Sequence, residues 1–289
     1  MERKIAMAKR TTLRRTIKVK GKGLHSGRES AITLVPSYRE SGIMICASRE
    51  KNPYPIGDCE LFSPGRSTCL VLPDGEIIYT VEHLLASLYG MGVDDAVVVV
   101  EGGEVPIFDG SALPWAERIK DAGLAEKDDG EEGSINLSSP LLVEDDEAGA
   151  WVACFPSDVL KLSYIISFDN DFIGTQVFSS VVTEETFLKD FAPARTFVRL
   201  EDVDELKKQG LALGGSLDNA LVFDDKGLVN DTSLRFENEC VRHKAMDLLG
   251  DLSLVGKSLC AHVVGFKAGH RLHLRMVERL KRLCRGDMS

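Results

Sequence analysis

The sequence predicts an α+β protein built from two domains. Each half of the chain reads as several strands plus two helices, and neither half shows strict strand–helix–strand alternation. Between the halves, Glu126-Lys-Asp-Asp-Gly-Glu-Glu-Gly133 carries charges and glycines but no apolar anchor, the composition of a solvated linker. At 289 residues the chain is long enough to bury two cores. The expected division is an N-terminal domain over 1–127, a charged linker over 128–133 and a C-terminal domain over 134–289.

Taken in order, Thr11 to Val19 alternates as a first strand. Gly21-Lys-Gly-Leu-His-Ser-Gly27 is a glycine-rich loop without the GK[ST] ending of a phosphate loop, and its His25 reads as a loop histidine or as a functional one. Ala31–Val35 and Gly42–Cys46 are strand-like, and the polar stretch from Ser48 to Pro64 reads as an insertion or a long loop. Thr68–Leu72 is a strand ended by Pro73-Asp-Gly75. Thr80 is placed as the N-cap of a helix stopping at Gly90 or Gly92, which sets Glu82 and His83 in its first turn. Asp94–Glu101 is a buried-looking strand, and Trp115–Ala122 a second helix.

In the second half, strands are expected near Ile135–Leu137, Leu141–Glu144, Ala150–Phe155 and Lys161–Ser167. Thr183–Leu188 looks helical, Ala194–Val198 extended and Val203–Gln209 a short helix. An apolar glycine-rich loop, Leu211–Leu217, precedes a strand at Ala220–Phe223. The next helix, Cys240 to Asp251, carries an apolar stripe of Val241, Ala245, Leu248, Leu249 and Leu252. Cys260–Phe266 is the last strand, and Leu272–Leu283 a terminal amphipathic helix.

Composition narrows the function. A formal charge of −10 argues against generic nucleic-acid binding. No apolar run reaches the ~18 residues of a membrane span. The basic N-terminus (Arg3, Lys4, Lys9, Arg10) has no apolar core of a secretory signal. Seven scattered cysteines without a CxxC pair argue against a disulfide framework or a cysteine-zinc ribbon, so the cytoplasm is the expected compartment.

Three polar groupings carry chemistry. His243 and Asp247 are four residues apart and share a helix face, with Asp251 one turn further on. That pair is either an ordinary exposed i,i+4 contact or half of a metal site. Glu82-His83 sets a carboxylate beside an imidazole at a helix start, and His270 follows a glycine just past a strand end. Two histidines and an aspartate make a three-ligand catalytic zinc set, an adjacent glutamate suits a general base, and a further histidine suits a proton donor. HExxH is absent, so the chain is not a zincin. His262 and His273 read as strand and helix-surface histidines.

Together these motifs resemble the UDP-3-O-acyl-N-acetylglucosamine deacetylase family, zinc amidases of lipid A synthesis. The likeness runs from about Thr11 to Arg282 through Gly23-Leu-His-Ser-Gly27, Thr80-Val-Glu-His-Leu84, Pro106-Ile-Phe-Asp-Gly-Ser-Ala112 and Ala194-Arg-Thr-Phe197. It continues through Leu213-Gly-Gly-Ser216, Arg235-Phe-Glu-Asn-Glu239, Val241-Arg-His-Lys244 with Asp247 and Gly250-Asp-Leu252, and Phe266-Lys-Ala-Gly-His270. The resemblance implies zinc on His83, His243 and Asp247, with Glu82 as general base. It makes His270 the general acid braced by Asp251, and Thr196 and Lys244 the oxyanion stabilisers. It sets Phe197 on the sugar, Phe168 and Lys267 toward the nucleotide, and Gly215 beside the substrate in an insert of about 197–220. Apolar residues of that insert, among them Leu211 and Leu213, would line an acyl passage.

The same resemblance implies a five-stranded sheet and two helices per domain, packed helix layer to helix layer with the metal between them. It also implies a UDP-sugar lipid substrate and a monomer. Ser167-Phe-Asp-Asn-Asp171 departs from the family's Asp-Phe-Asn-His-Pro, which leaves nucleotide contacts there open, and Ser48–Pro64 matches poorly. Two other readings stand beside this one: a non-catalytic metabolite-binding protein, and a zinc hydrolase of a different amide.

Overall fold

The computed structural model describes residues 9–39, 41–131 and 133–286. Arg3 and Lys4 of the basic N-terminus, and residue 132 of the expected linker, lie outside them.

Five strands form the first sheet, in the order Ile17–Lys22, Glu29–Pro36, Ala96–Glu101, Ile43–Cys46 and Tyr54–Pro55. Pairing is antiparallel except between Ala96–Glu101 and Ile43–Cys46. Ile17 faces Leu34, and Val98 faces both Leu34 and Ile45, so a row of buried apolar side chains crosses four strands on one face. Helices α1 (Glu82–Gly90) and α2 (Leu113–Ala122) belong to this half, and their Leu84, Leu88, Trp115 and Ile119 join the same core.

The second sheet runs Leu141–Asp145, Ala150–Pro156, Ser258–Phe266, Lys161–Ser167 and Thr175–Val181. A short sixth strand, Ser134–Asn136, pairs in parallel with the start of Ser258–Phe266, one strand beyond the expected five. An insert between this sheet and the next long helix holds α3 (Glu184–Thr186), a π-helical turn at Phe187–Phe191 and α4 (Leu200–Lys208). It also holds a small sheet of Phe197–Arg199, Leu221–Asp224 and Gly227–Leu228. Helices α5 (Glu239–Ser253) and α6 (His270–Arg285) complete the half. Among the described residues no helix is long and apolar enough to cross a membrane.

The two helix layers meet where α1 packs on α5. Gly250 makes that approach possible, because a Cβ there would lie 2.1 Å from the Glu82 carbonyl oxygen. Gly90 plays the same part at the other end of α1, where a Cβ would lie 2.3 Å from the Phe187 ring.

Four local expectations are corrected. The first strand divides into Lys9–Leu13 and Ile17–Lys22, which lie in different sheets. Its first part pairs with Leu124–Glu131, so most of the charged run expected as a linker is an antiparallel strand. The reason is the buried Asp95 carboxylate, which accepts hydrogen bonds from Arg10 Nε at 2.9 Å and Lys127 Nζ at 3.0 Å, and from the backbone N–H of Ser41 and Gly42. Thr80 does not cap α1; its φ of 57° lies in the left-handed region, and Val81 is the N-cap. The Ser48–Pro64 stretch contains the two-residue strand Tyr54–Pro55, a 3-10 turn at Ile56–Asp58 and a strand at Glu60–Phe62.

Replacing Gly250 by Ala should force α1 off α5 and cost roughly 1–3 kcal/mol of stability, as overpacking does. Urea unfolding measures this, and a midpoint equal to the parent's would contradict the close-approach argument. Asp95 offers a pH test. Burial works against its carboxylate, yet hydrogen bonds from Arg10, Lys127, Gly42 and Ser41 hold its pKa below the ordinary aspartate value. A lowered folded-state pKa adds stability above the unfolded value that is lost as pH falls through the folded one. Asp95→Asn should therefore cost about 3 kcal/mol at neutral pH, and the gap to the parent should narrow in acid; a gap of constant size would refute the assignment.

Candidate active site

Helix α5 is buried along almost its whole length, including its polar residues, so those residues need partners inside the protein. His243 and Asp247, one turn apart, bring Nε2 and Oδ1 to 3.4 Å. Across the helix contact, His83 of α1 brings its Nε2 to 3.5 Å from the same Asp247 Oδ1. The two imidazoles meet edge to face with centroids 5.1 Å apart. One ligand atom from each of the three residues lies within 4.8 Å of the others, and all three side chains are buried.

The surroundings leave these atoms free for a cation. Lys244 Nζ donates to Asp247 Oδ2 at 2.7 Å, while Oδ1 is buried without a hydrogen-bond partner. His243 Nδ1 lies 3.1 Å from the Ala194 carbonyl, which fixes the proton on Nδ1 and presents the Nε2 lone pair inward. Burial pushes the pKa of His243 down to about 3, against the pull of Asp247, so the ring is neutral as a ligand must be. Burial opposes the Asp247 carboxylate too, but His243 and Lys244 hold its pKa well below the ordinary value.

A second cluster adjoins the first. Glu82, at the start of α1, is buried and accepts from the Thr68 N–H at 3.1 Å; burial lifts its pKa to about 7. His270 opens α6, with its Nε2 3.9 Å from Glu82 Oε1 and 3.7 Å from Asp247 Oδ2. Its Nδ1 lies 2.8 Å from Asp251 Oδ2. Burial works against the charged ring, but the Asp251 carboxylate outweighs it and raises the His270 pKa to about 9.

These residues floor one end of a cavity of about 540 Å³. Thr196, Phe197, Phe168 and Lys244 line it near the ionisable groups, and Gly215, Val198, Leu200, Leu206, Leu217, Ala220 and Val222 extend it into the insert. Phe168 and Phe197 pack edge to face at 5.5 Å, and Phe197 sits 6.3 Å from the His243 ring. Thr196 is held by its own N–H donating to the Gly110 carbonyl at 2.8 Å. Polar groups and a metal-compatible triad at one end, with an apolar arm at the other, suit hydrolysis of a polar headgroup on an acylated molecule.

A sequence profile for UDP-3-O-acyl N-acetylglycosamine deacetylases matches residues 10–282. The chain belongs to that family. The UDP-3-O-acyl-N-acetylglucosamine deacetylase of Histophilus somni is 37% identical over 278 residues, covering 95% of this chain and 90% of its own length. That of Oleidesulfovibrio alaskensis is 40% identical over 266 residues, covering 91% and 86%. The Chlamydia abortus enzyme is 40% identical over 267 residues, covering 92% and 94%.

Within this family member, the structure brings eleven of the twelve residues singled out from the sequence to the cavity or directly behind it. The exception is Lys267, which is exposed on the turn between Ser258–Phe266 and α6, with a φ of 50°. Leu211 and Leu213 do not line the cavity, whereas Val203, Leu206 and Val222 do. Sequence reasoning missed Thr68, whose hydroxyl donates to Asp251 Oδ1 at 2.6 Å, and misread His273 as a surface residue. His273 is fully buried, and its ring Nδ1 lies 2.7 Å from Asp251 Oδ2. A signal was present: 273, 276, 277 and 280 fall on one face, which is the apolar face of α6.

Removing a ligand tests the triad. Asp247→Ala should take bound zinc from about one per folded chain to a small fraction of that, read by elemental analysis after gel filtration. Full metal content in a folded variant would sink the assignment.

Proposed function

We propose that the chain removes acetate from UDP-3-O-(3-hydroxyacyl)-N-acetylglucosamine, a step of lipid A biosynthesis, as a zinc-dependent amidase. The observation that carries this reading is the unpartnered, buried Asp247 Oδ1 between His83 and His243, beside Glu82 and His270, at the polar end of an acyl-sized cavity. Two neutral imidazoles and a carboxylate are a donor set that suits zinc. A zinc ion held there would supply Lewis acidity toward a carbonyl oxygen and toward water.

The chain's own residues supply the proton movements. Glu82 takes a proton from the attacking water, whose oxygen bonds to the acetyl carbon. The carbon–nitrogen bond breaks, and His270 gives its Nε2 proton to the departing glucosamine nitrogen. The proton on Glu82 then returns to His270 Nε2, 3.9 Å away, which resets both groups, and the hydroxyl proton left on the acid product passes to the amine, giving acetate and an ammonium. Thr196 and Lys244 line the cavity beside the triad and are assigned to stabilise negative charge on the acetyl oxygen. Phe197 and Phe168 pack the sugar and the near part of the nucleotide. Lys267, which does not line the cavity but precedes the lining Ala268, is assigned to the diphosphate. Gly215 and the apolar arm take the acyl chain. The proposed working unit is a monomer. The cytoplasm is the proposed compartment, in keeping with cysteines that are free among the described residues.

The test is release of acetate from the UDP-sugar by purified protein, followed by mass spectrometry. Release should stop with a chelator and return with zinc, and Glu82→Gln should lower kcat by about a hundredfold or more. Binding of the UDP-sugar without acetate release by the zinc-loaded chain would instead favour a metabolite-binding protein on this fold.

A further inference from the structure

Asp251 receives more hydrogen bonds than a brace for His270 alone requires. Its Oδ1 accepts from Thr68 Oγ1 at 2.6 Å, and its Oδ2 lies 2.8 Å from His270 Nδ1 and 2.7 Å from His273 Nδ1. All four side chains are buried. A neutral imidazole donates at one nitrogen and accepts at the other. The carboxylate can only accept, so His273 carries its hydrogen on Nδ1 and leaves Nε2 as an acceptor. That Nε2 faces the hydroxyl of Tyr164 at 2.8 Å.

Tyr164 is itself fixed. Its ring is fully buried, its hydroxyl also lies 2.7 Å from the Ala268 carbonyl, and it fits only because residue 265 is glycine. A Cβ at Gly265 would stand 2.6 Å from the Tyr164 ring. A continuous chain of contacts therefore runs from the second sheet through Tyr164, His273 and Asp251 to His270. The rings turn across one another along it, 90° between Tyr164 and His273 and 73° between His273 and His270.

We propose that His273 is a positioning residue for the hydrolysis, holding Asp251 in the plane that His270 needs, with Tyr164 packed against the far edge of its ring. A carboxylate held only by His270 would be free to turn when that hydrogen bond changes strength. Thr68 on Oδ1 also lies 3.1 Å from His270 Nδ1, so His273 on Oδ2 is the contact that holds the carboxylate through a side chain other than His270 and its neighbour. His270 can then lose and regain its Nε2 proton while its partner stays still, the preorganisation that a proton donor requires. This inference rests on the reading of His270 as the proton donor.

Two near-isosteric variants separate the contacts. Asn at 273 presents its amide nitrogen close to where Nδ1 sits and keeps the donor to Asp251. Gln extends to where Nε2 sits, keeps contact with Tyr164 and loses the donor. His273→Gln should lower kcat roughly tenfold, the usual effect of losing an outer hydrogen-bond partner, with KM and zinc content unchanged. His273→Asn should stay within about threefold of the parent. Nitrogen-15 spectra of the parent should show His273 protonated at Nδ1. Equal kcat for the two variants, a fall in KM-governed binding rather than kcat, or a hydrogen on Nε2 alone would overturn the proposal. Parental turnover of the UDP-sugar is measured in the same assay. Its failure would count against the function, whereas a failed variant comparison with an active parent counts against His273 alone.

Discussion

The structure depends on one close approach, the backbone of α5 against the first turn of α1. The triad is divided between those helices, His83 on one and His243 and Asp247 on the other, and ligand atoms must converge within a few ångströms. The separation of the two helices sets whether they do. Gly250 under the Glu82 carbonyl removes the obstruction at the level of the active site. The strained entry to α1 is held by the same region. Glu104 accepts from Thr80 Oγ1 at 3.0 Å and from the N–H groups of His25 and Ser26, both at 2.8 Å. Gly23 leaves room for that carboxylate, since a Cβ there would stand 2.1 Å from Glu104 Oε2. The loop Gly23–Gly27, the left-handed Thr80 and the helix carrying Glu82 are thus one mechanical unit.

The electrostatics of the buried cluster follow from partners rather than from burial alone. Burial is common to Glu82, Asp247, Asp251, His243 and His270, yet their protonation diverges. Burial dominates at Glu82 and raises its pKa to about 7, and it dominates at His243 and lowers its pKa to about 3. Partners prevail elsewhere. Asp251 falls to about 2 against the burial that opposes it, because His270 and His273 face it, and His270 rises to about 9 for the reciprocal reason. One desolvated space therefore holds, within 3.9 Å, a carboxylate made more basic than usual and an imidazolium that keeps its proton at neutral pH, which is the division of labour that general acid–base chemistry needs. Such a cluster works against folding stability, and the scaffold around it is correspondingly tied. The buried Arg195–Glu239 pair, with Nε to Oε1 at 2.8 Å, locks the extended segment that carries Thr196, just before Phe197–Arg199, to the first residue of α5.

Much of this was legible in the sequence, but unevenly. Helical periodicity put His243, Asp247 and Asp251 on one face of α5, and a residue pair at a helix start put Glu82 beside His83. Local spacing sufficed because both ends of each relation lie on one element. It could not show that α1 meets α5; a single glycine decides that contact, and a lone Gly250 in a helix reads as a weakness rather than a seat. Thr68 was invisible for a related reason. It lies 183 residues from Asp251, just before the short strand Cys69–Val71, in a stretch with no unusual composition. His273 was misread because a polar residue in an amphipathic helix was assigned to the solvent face without checking its phase against Met276, Val277 and Leu280. The charged run at 126–131 misled through composition. Backbone pairing to Lys9–Leu13 and the Lys127–Asp95 bridge hold it in place, and neither depends on an apolar side chain.

The cavity shows why the two halves must be joined this way and not merely placed side by side. Its ionisable end is shared between α1 and α5, whereas its apolar arm comes mainly from the insert of the second half. Leu200 and Leu217 line that arm and are still about half exposed, at 47% and 50%. Apolar surface left open in this way regains about 25 cal/mol for each Å² a hydrocarbon chain covers. Such binding energy is remote from the reacting bond, and it becomes useful only if the reacting end is delivered to fixed groups. The fixed groups are supplied by helices, and the adaptable apolar surface by an insert of short strands and α4. The Arg66–Asp202 bridge, with Nη2 to Oδ2 at 3.0 Å, links the first half to α4 across the arm, so the insert is tethered to both halves. A molecule seated along the whole cavity touches both halves at once, and the rigidity that holds the triad together is the same rigidity that converts its apolar contacts into alignment at Glu82 and His270.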